Sequence, residues 1–93
     1  MKKYFDMLSE FYNIVKYENY NSSEILLYYT LLAAWNKTGR KEWFSIYNDE
    51  IRNATKYNLK TIQDARNKLC QKGIIKYKKG AIGQAPQYSL TSG

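Results

Sequence analysis

Histidine is absent from this chain, and cysteine and long apolar runs are scarce. The single cysteine, Cys70, cannot form an internal disulfide, and without histidine it cannot anchor a common zinc site. The longest apolar run, residues 25–35, is interrupted by Thr30 and is shorter than the ~20 residues needed to span a bilayer. We therefore expect no metal, no cofactor and no membrane-spanning segment.

A recognisable set of catalytic residues is also missing. Cys70 falls in a predicted helix without an evident base, and no glycine-rich phosphate loop follows a predicted strand. The acids Asp49 and Glu50 are better explained as residues of a first helical turn, where the helix dipole favours negative charge, than as a metal pair. The start of the chain, residues 1–3, leads into an amphipathic stretch and not into a secretory signal. We expect a cytoplasmic protein that is not an enzyme.

Positive charge is present in excess and is concentrated in one segment. Residues 56–79 contain eight bases and one acid, so this segment carries a charge of +7, which equals the net charge of the whole chain. The eight bases are Lys56, Lys60, Arg66, Lys68, Lys72, Lys76, Lys78 and Lys79. Such a concentrated patch indicates a polyanionic partner. If it neutralises about five or six phosphates, the logarithm of the binding constant should fall with the logarithm of salt at a slope near −5.

The spacing of apolar residues predicts four helices, at about residues 4–18, 22–37, 49–55 and 59–72. The second helix is apolar nearly all round, which is typical of a central, buried helix. Asn21 and Glu24 have the spacing of a capping box at its start. In the fourth helix, Ile62, Ala65 and Leu69 form one apolar stripe that is expected to face the core.

The third helix is short, and a tight connection at residues 56–58 joins it to the fourth. We expect Asn48 to cap the third helix and Asn58 to cap the fourth, because asparagine side chains accept hydrogen bonds from the free N–H groups of a first turn. Ile51 and Ala54 of the third helix are expected to face the core.

Three strands are predicted, at about residues 42–47, 74–78 and 87–90. The last two, joined by a glycine-containing loop at residues 79–86, form a β-hairpin with a long basic tip. Two short helices with a tight turn, followed by a two-stranded hairpin, are typical of a winged helix-turn-helix. We therefore predict one α+β domain over residues 1–93, in which helices pack against a small antiparallel sheet and the C-terminal hairpin is the wing.

Several stretches carry a resemblance to a known family. Residues 55–62 (TKYNLKTI) are similar to the turn and the start of the recognition helix in winged helix proteins. Residues 65–69 (ARNKL) and 71–80 (QKGIIKYKKG) resemble the N-terminal domain of Firmicute phage replisome organisers of the DnaD-like group. The stretches 27–29 (LYY) and 41–45 (KEWFS) fit the same pattern, so the resemblance covers roughly residues 22–90. It implies a DNA-binding domain that acts in phage or plasmid DNA processing.

The sequence departs from that family at two positions and in its length. Lys56 stands where the turn often has glycine, so we expect a turn of different conformation, because a left-handed backbone would cost lysine about 1 kcal/mol. Asp64 stands in mid-helix, where such proteins often carry a base contact. The second, helical domain of DnaD-like proteins has no counterpart here. The chain is either a fragment or a one-domain relative, such as an accessory protein of a plasmid relaxosome.

The predicted recognition helix supplies the first group of candidate DNA-binding residues. Asn67 and Gln63 are candidate base contacts because a carboxamide can pair bidentately with adenine. Asp64 lies on the same face, where phosphates would repel it, although it can accept a hydrogen bond from cytosine. The other candidates, which suit phosphates near the helix, are Asn58, Lys60, Thr61 and Lys68. The alternative is a face that is merely solvated, because polar residues are expected opposite any core stripe.

The wing supplies the second group of candidates: Lys76, Lys78, Lys79, Gln84 and Gln87. A slim hairpin tip flanked by lysines can reach the phosphate backbone or the minor groove, where Gln84 could contact A·T acceptors. The alternative is a solubilising edge strand, because lysines also protect sheet edges. Our hypothesis is that the wing supplies at least half of the affinity.

These observations predict a sequence-specific protein for double-stranded DNA, an initiator or accessory factor at a phage or plasmid origin in replication or conjugative transfer. The alternatives are a transcription regulator and a protein-interaction module of a replisome. Expected partners are double-stranded DNA, other replication or transfer proteins, and a second copy of the chain.

Most aromatic side chains are expected in the core, and those left over on the first helix could form a dimer interface. The aromatic residues weighed in this way are Tyr4, Phe5, Phe11, Tyr12, Tyr28, Tyr29, Trp35, Trp43 and Phe44.

Overall fold

Residues 3–90, the part of the chain that the computed structural model describes, form four helices and a three-stranded antiparallel sheet. In chain order the elements are α1 (Tyr4–Tyr17), α2 (Ser22–Lys37), β1 (Phe44–Ser45), α3 (Asn48–Thr55), α4 (Leu59–Gln71), β2 (Ile75–Lys78) and β3 (Gln87–Leu90). This order and the small sheet confirm the predicted α+β winged-helix fold. No helix within residues 3–90 is both long and apolar enough to cross a membrane.

Helix α2 lies at the centre of the fold, as its sequence predicts. It packs against α1, α3 and α4. Its side chains Tyr28, Leu31 and Leu32 are completely buried. The ring of Phe11 from α1 stacks on Tyr28 with 3.9 Å between the centroids. Burying two aromatic rings against each other contributes a large apolar area, which a chain this short needs for a stable core.

The sheet has the strand order β1-β3-β2, so β3 pairs with both neighbours. Tyr88 of β3 lies opposite Phe44 of β1 on one side and opposite Tyr77 of β2 on the other. Strand β1 has two residues, and the predicted strand 42–47 is therefore too long. Beyond Ser45 the N–H of Ile46 still donates to the carbonyl oxygen of Pro86, at 3.3 Å. Pro86 has no N–H to donate in return, so the ladder ends there.

Two of the three predicted helix caps are present. The side-chain oxygen of Asn21 accepts a hydrogen bond from the N–H of Glu24 at 2.9 Å, and Asn58 accepts one from the N–H of Thr61 at 2.8 Å. The capping box at Asn21 is only half formed, because the carboxylate of Glu24 is paired with Lys72 instead. A capping role for Asn48 is wrong: the carbonyl of Tyr47 already accepts the first helical hydrogen bonds, so Asn48 is the first residue inside α3.

The inward face of α3 also differs from the prediction. Ile51 is fully buried, but Ala54 is exposed and Thr55 is buried in its place. The hydroxyl of Thr55 donates to the carbonyl oxygen of Ile51 at 2.8 Å, so its burial leaves no unmade hydrogen bond at that donor. The other predicted boundaries agree with the observed ones to within one residue.

Candidate nucleic-acid interface

Helix α4 presents one exposed polar face, opposite the side that it buries. Ile62, Ala65 and Leu69 are buried, which confirms the predicted stripe. The exposed candidates on α4 are Lys60, Gln63, Asp64, Asn67 and Lys68. Two further candidates, the exposed Asn58 and the half-buried Thr61, lie at the start of the helix. All seven residues predicted for the recognition helix therefore lie on α4 or at its N-terminal cap.

Two contacts limit what this face can offer to DNA. The side-chain oxygen of Asn58 accepts the cap hydrogen bond, which holds the carboxamide in place, while its NH₂ group can still donate to a ligand. Lys60 lies 3.5 Å from the carboxylate of Asp64, one helical turn away. Both groups are exposed, so this ion pair is weak and a phosphate can compete for Lys60.

The turn before α4 has a left-handed residue, at Lys56. Its φ is +65°, and its N–H donates to the carbonyl oxygen of Arg52 at 2.8 Å. The prediction of a different turn is therefore wrong, because the hydrogen bond that ends α3 is formed in spite of the cost of about 1 kcal/mol to lysine. The exposed side chains of Arg52, Asn53, Lys56 and Asn58 line one cleft at this turn, together with the acid Asp49, whose carboxylate lies 3.3 Å from the guanidinium group of Arg52. Arg52 was not among the predicted residues.

The wing directs alternate side chains to opposite faces of the sheet. Ile75 is buried and Tyr77 is half-buried, whereas Lys76 and Lys78 between them are exposed on the outer face. The ammonium group of Lys78 lies 4.0 Å from the centroid of the Trp43 ring, within the range of a cation–π contact. This contact positions Lys78, and no local pattern indicates it, because Trp43 lies outside the basic segment.

Four of the five predicted wing residues line one cleft, of about 520 Å³: Lys78, Lys79, Gln84 and Gln87. Ser45 and the exposed Tyr47 also line it, together with small residues of the wing loop. Lys76 lies on the outer face of β2 and does not line this cleft. Tyr47 is a residue that sequence reasoning missed: it ends the predicted strand 42–47, outside the basic segment, and only the pairing of β1 with β3 brings it beside the wing.

The tip of the wing is a tight turn. The N–H of Gln84 donates to the carbonyl oxygen of Ala81 at 2.9 Å. A Cβ atom on Gly80 would lie 2.3 Å from the carbonyl oxygen of Gln84, so this position has room only for glycine. Ile82 at the tip is fully exposed.

Two of the eight bases in residues 56–79 do not belong to the exposed patch. Arg66 is 7 % exposed and lies between α4 and the wing. The ammonium group of Lys72 contacts the carbonyl oxygen of Asn19 at 2.6 Å and the carboxylate of Glu24 at 2.9 Å. Lys72 is itself exposed but is engaged by these two contacts, so six other exposed lysines remain: Lys56, Lys60, Lys68, Lys76, Lys78 and Lys79. That number is still sufficient for about five or six phosphate contacts.

The remaining reactive group, the thiol of Cys70, is partly buried against the core. Burial raises the pKa of this thiol, and nearby Arg66 opposes that effect only in part. The thiol is therefore protonated at neutral pH and is a poor nucleophile. Among residues 3–90 no group of three or more histidine, cysteine or acidic side chains could hold a metal ion.

The nine aromatic residues weighed from the sequence differ in their burial. Phe11, Tyr28, Trp35 and Phe44 are buried, and Tyr4, Tyr29 and Trp43 are half-buried. Three aromatic side chains of α1 are exposed: Phe5 by 75 %, Tyr12 by 60 % and Tyr17 by 80 %.

A short helix, a left-handed turn and a second helix with an exposed polar face, followed by a basic hairpin, define a protein of the winged helix-turn-helix class. Residues 19–75 match the model of the family described as "Helix-turn-helix domain". This match covers more than half of the chain, which therefore belongs to that family. No curated protein and no solved structure matches the chain. Membership of this family indicates double-stranded DNA as the ligand.

Proposed function

We propose that the protein binds double-stranded DNA in a sequence-specific manner, with α4 in the major groove and the wing on the flanking backbone or minor groove, and that it catalyses no reaction. The observation that carries this proposal is the exposed face of α4, where Asn67 and Gln63 stand between Lys60 and Lys68. Carboxamides can distinguish bases in the major groove, and lysines bind phosphates without regard to sequence.

The wing cleft supports the same function at a second point of contact. Lys78 and Lys79 supply positive charge, while Gln84 and Gln87 supply hydrogen-bond donors and acceptors on the same wall. A phosphate backbone needs both kinds of group, because charge gives affinity and directed hydrogen bonds fix the position of the protein on the duplex.

Selection of bound duplexes from a random DNA library, at about 150 mM salt, tests the proposal. We expect an enriched motif, and we expect that motif to lose its base preference at one position in the Asn67→Ala variant. A Lys68→Ala variant is the matched control, since it should weaken binding to all sequences equally. Retention without a motif would contradict sequence-specific recognition, and absence of retention would contradict DNA binding.

We further propose that the protein acts at a phage or plasmid origin, as an initiator or an accessory factor in replication or conjugative transfer. The support for this role is the resemblance of residues 22–90 to DnaD-like replisome organisers. Repeats of the selected motif beside an origin are expected. A transcription regulator would use the same surfaces, and its motif would instead lie in promoters.

The exposed aromatic rings of α1 favour a second candidate function, which is association with protein. Phe5, Tyr12 and Tyr17 leave large apolar side chains in water, and such side chains are enriched at protein interfaces. Sedimentation at several concentrations, with a Tyr12→Ser variant as the comparison, tests whether a homodimer forms. A monomer at all concentrations would contradict self-association.

A further inference from the structure

Arg66 is the one basic residue of α4 whose side chain points at the wing. Its guanidinium carbon lies 4.0 Å from the centroid of the Tyr77 ring, and its Nη1 donates a hydrogen bond to the hydroxyl of Tyr88 at 3.2 Å. Tyr77 belongs to β2 and Tyr88 to β3, and the two residues face each other across the hairpin. One side chain of α4 therefore contacts both strands of the wing.

The charge of Arg66 is not paired with an acid within the described residues. None of the ion pairs found within residues 3–90 includes Arg66, and its Nε has no hydrogen-bond partner there. Desolvating a charge without a counter-charge costs free energy, so this arginine is not explained as a stabilising ion pair. Burial raises the pKa of Tyr88 more than the hydrogen bond from Arg66 lowers it, so the phenol stays neutral.

We infer that Arg66 is a positioning residue, which fixes the wing at a set distance and angle from α4 so that both elements contact one duplex. This inference rests on the proposed function. The planar guanidinium suits the role, because it can stack on one ring and donate in its own plane to a hydroxyl group on the other. An alkyl side chain would fill the space but would not direct Tyr88.

The test compares Arg66→Met with Tyr88→Phe, which removes only the hydroxyl group, and with Arg66→Lys, which keeps the charge but loses the planar group. Lys68→Met is the matched control, since it removes one exposed charge from the same helix. Binding to a labelled duplex is measured against salt, and hydrogen exchange of the wing amides is measured without DNA.

For Arg66→Met we expect unchanged or higher thermal stability and faster exchange of the wing amides. The slope of the logarithm of the binding constant against the logarithm of salt should be reduced by about two or three, and the affinity at about 150 mM salt should be at least about a hundredfold lower. Tyr88→Phe should also weaken binding, although it changes no charge. Arg66→Lys should bind as weakly as Arg66→Met, although it keeps the charge. For Lys68→Met we expect normal wing exchange and a slope reduced by about one.

An Arg66→Met variant that behaves as Lys68→Met does, with normal wing exchange, would overturn the inference and make Arg66 a simple source of charge. Normal affinity in both Arg66→Met and Tyr88→Phe would overturn it as well. If the wild-type protein binds no duplex, the proposed function fails, whereas the exchange of the wing amides still decides whether Arg66 holds the wing.

Discussion

The ammonium group of Lys72 lies 2.9 Å from the carboxylate of Glu24, which is 3 % exposed. The same ammonium group lies 3.6 Å from the centroid of the Tyr20 ring. These contacts attach the C-terminal end of α4 to the start of α2, so the helix that is proposed to enter the DNA groove is anchored on the central helix of the fold.

Breaking this pair from one side should be costly. Lys72→Met leaves the buried carboxylate without a cation, and we expect it to lower the free energy of unfolding by about 2 kcal/mol, less than for a fully buried pair because Lys72 is partly exposed. Glu24→Gln should cost about 1 kcal/mol, since the freed ammonium group can reach water. Urea denaturation of both variants and of the double variant measures the coupling, and additive effects would contradict the pairing.

Lys56 allows the opposite kind of test, because it carries a left-handed backbone that glycine adopts without strain. We expect Lys56→Gly to raise the free energy of unfolding by about 0.5 to 1 kcal/mol. Lys56→Ala is the matched control: it removes the same charge but keeps the strain, and it should bring no gain. Equal stabilities of the glycine and alanine variants would contradict the assigned backbone conformation.

The helices were largely predictable from the sequence, and the contacts of their charged side chains were not. Apolar spacing locates α2 and α4 because burial of one face is what stabilises a helix. The destinations of Arg66 and Lys72 depend on residues 22 and 48 positions away in the chain, which no local pattern contains. For the same reason Tyr47 and Trp43 were missed as neighbours of the wing, since the pairing of β1 with β3 places them there.

The salt dependence of DNA binding tests the electrostatic part of the proposed function. Six exposed lysines predict that the logarithm of the binding constant falls with the logarithm of salt at a slope of about −5, and a slope of about −1 would contradict the electrostatic part of the proposal. The double substitution Lys78→Ala with Lys79→Ala should reduce the slope by about two and remove at least half of the binding free energy. A Lys16→Ala with Lys37→Ala variant loses the same charge from α1 and α2, outside α4 and the wing, and its slope should not change.

Alkaline pH should weaken the fold through its buried phenols. Burial raises the pKa of Tyr88 above the ordinary value of 10.0, and it also raises the pKa of Tyr29 and Tyr20. The folded state thus binds these protons more tightly than the unfolded state does, so their contribution is fully present below pH 10 and is lost as the pH rises further. Denaturation at pH 8 and pH 11 measures this loss. It should be smaller in Tyr88→Phe, and an equal loss in that variant would contradict the role of Tyr88.

Gly80 allows the wing tip to be changed without altering any charge. Its Cβ, if present, would lie within 2.9 Å of three backbone atoms of Gln84 and Ala85, which cannot move aside as a flexible side chain can. We therefore expect Gly80→Ala to open the turn at Ala81–Gln84 and to displace Gln84 from the cleft. Affinity for duplex DNA should fall several-fold while the core, which lies at the other end of the hairpin, keeps its stability. Gly83→Ala is the control for strain alone, because Gly83 has a positive φ but open space around it. If the alanine at position 80 left the affinity unchanged, the tip would not be a contact, and the contribution of the wing would have to come from Lys76 and Lys78 on its strand.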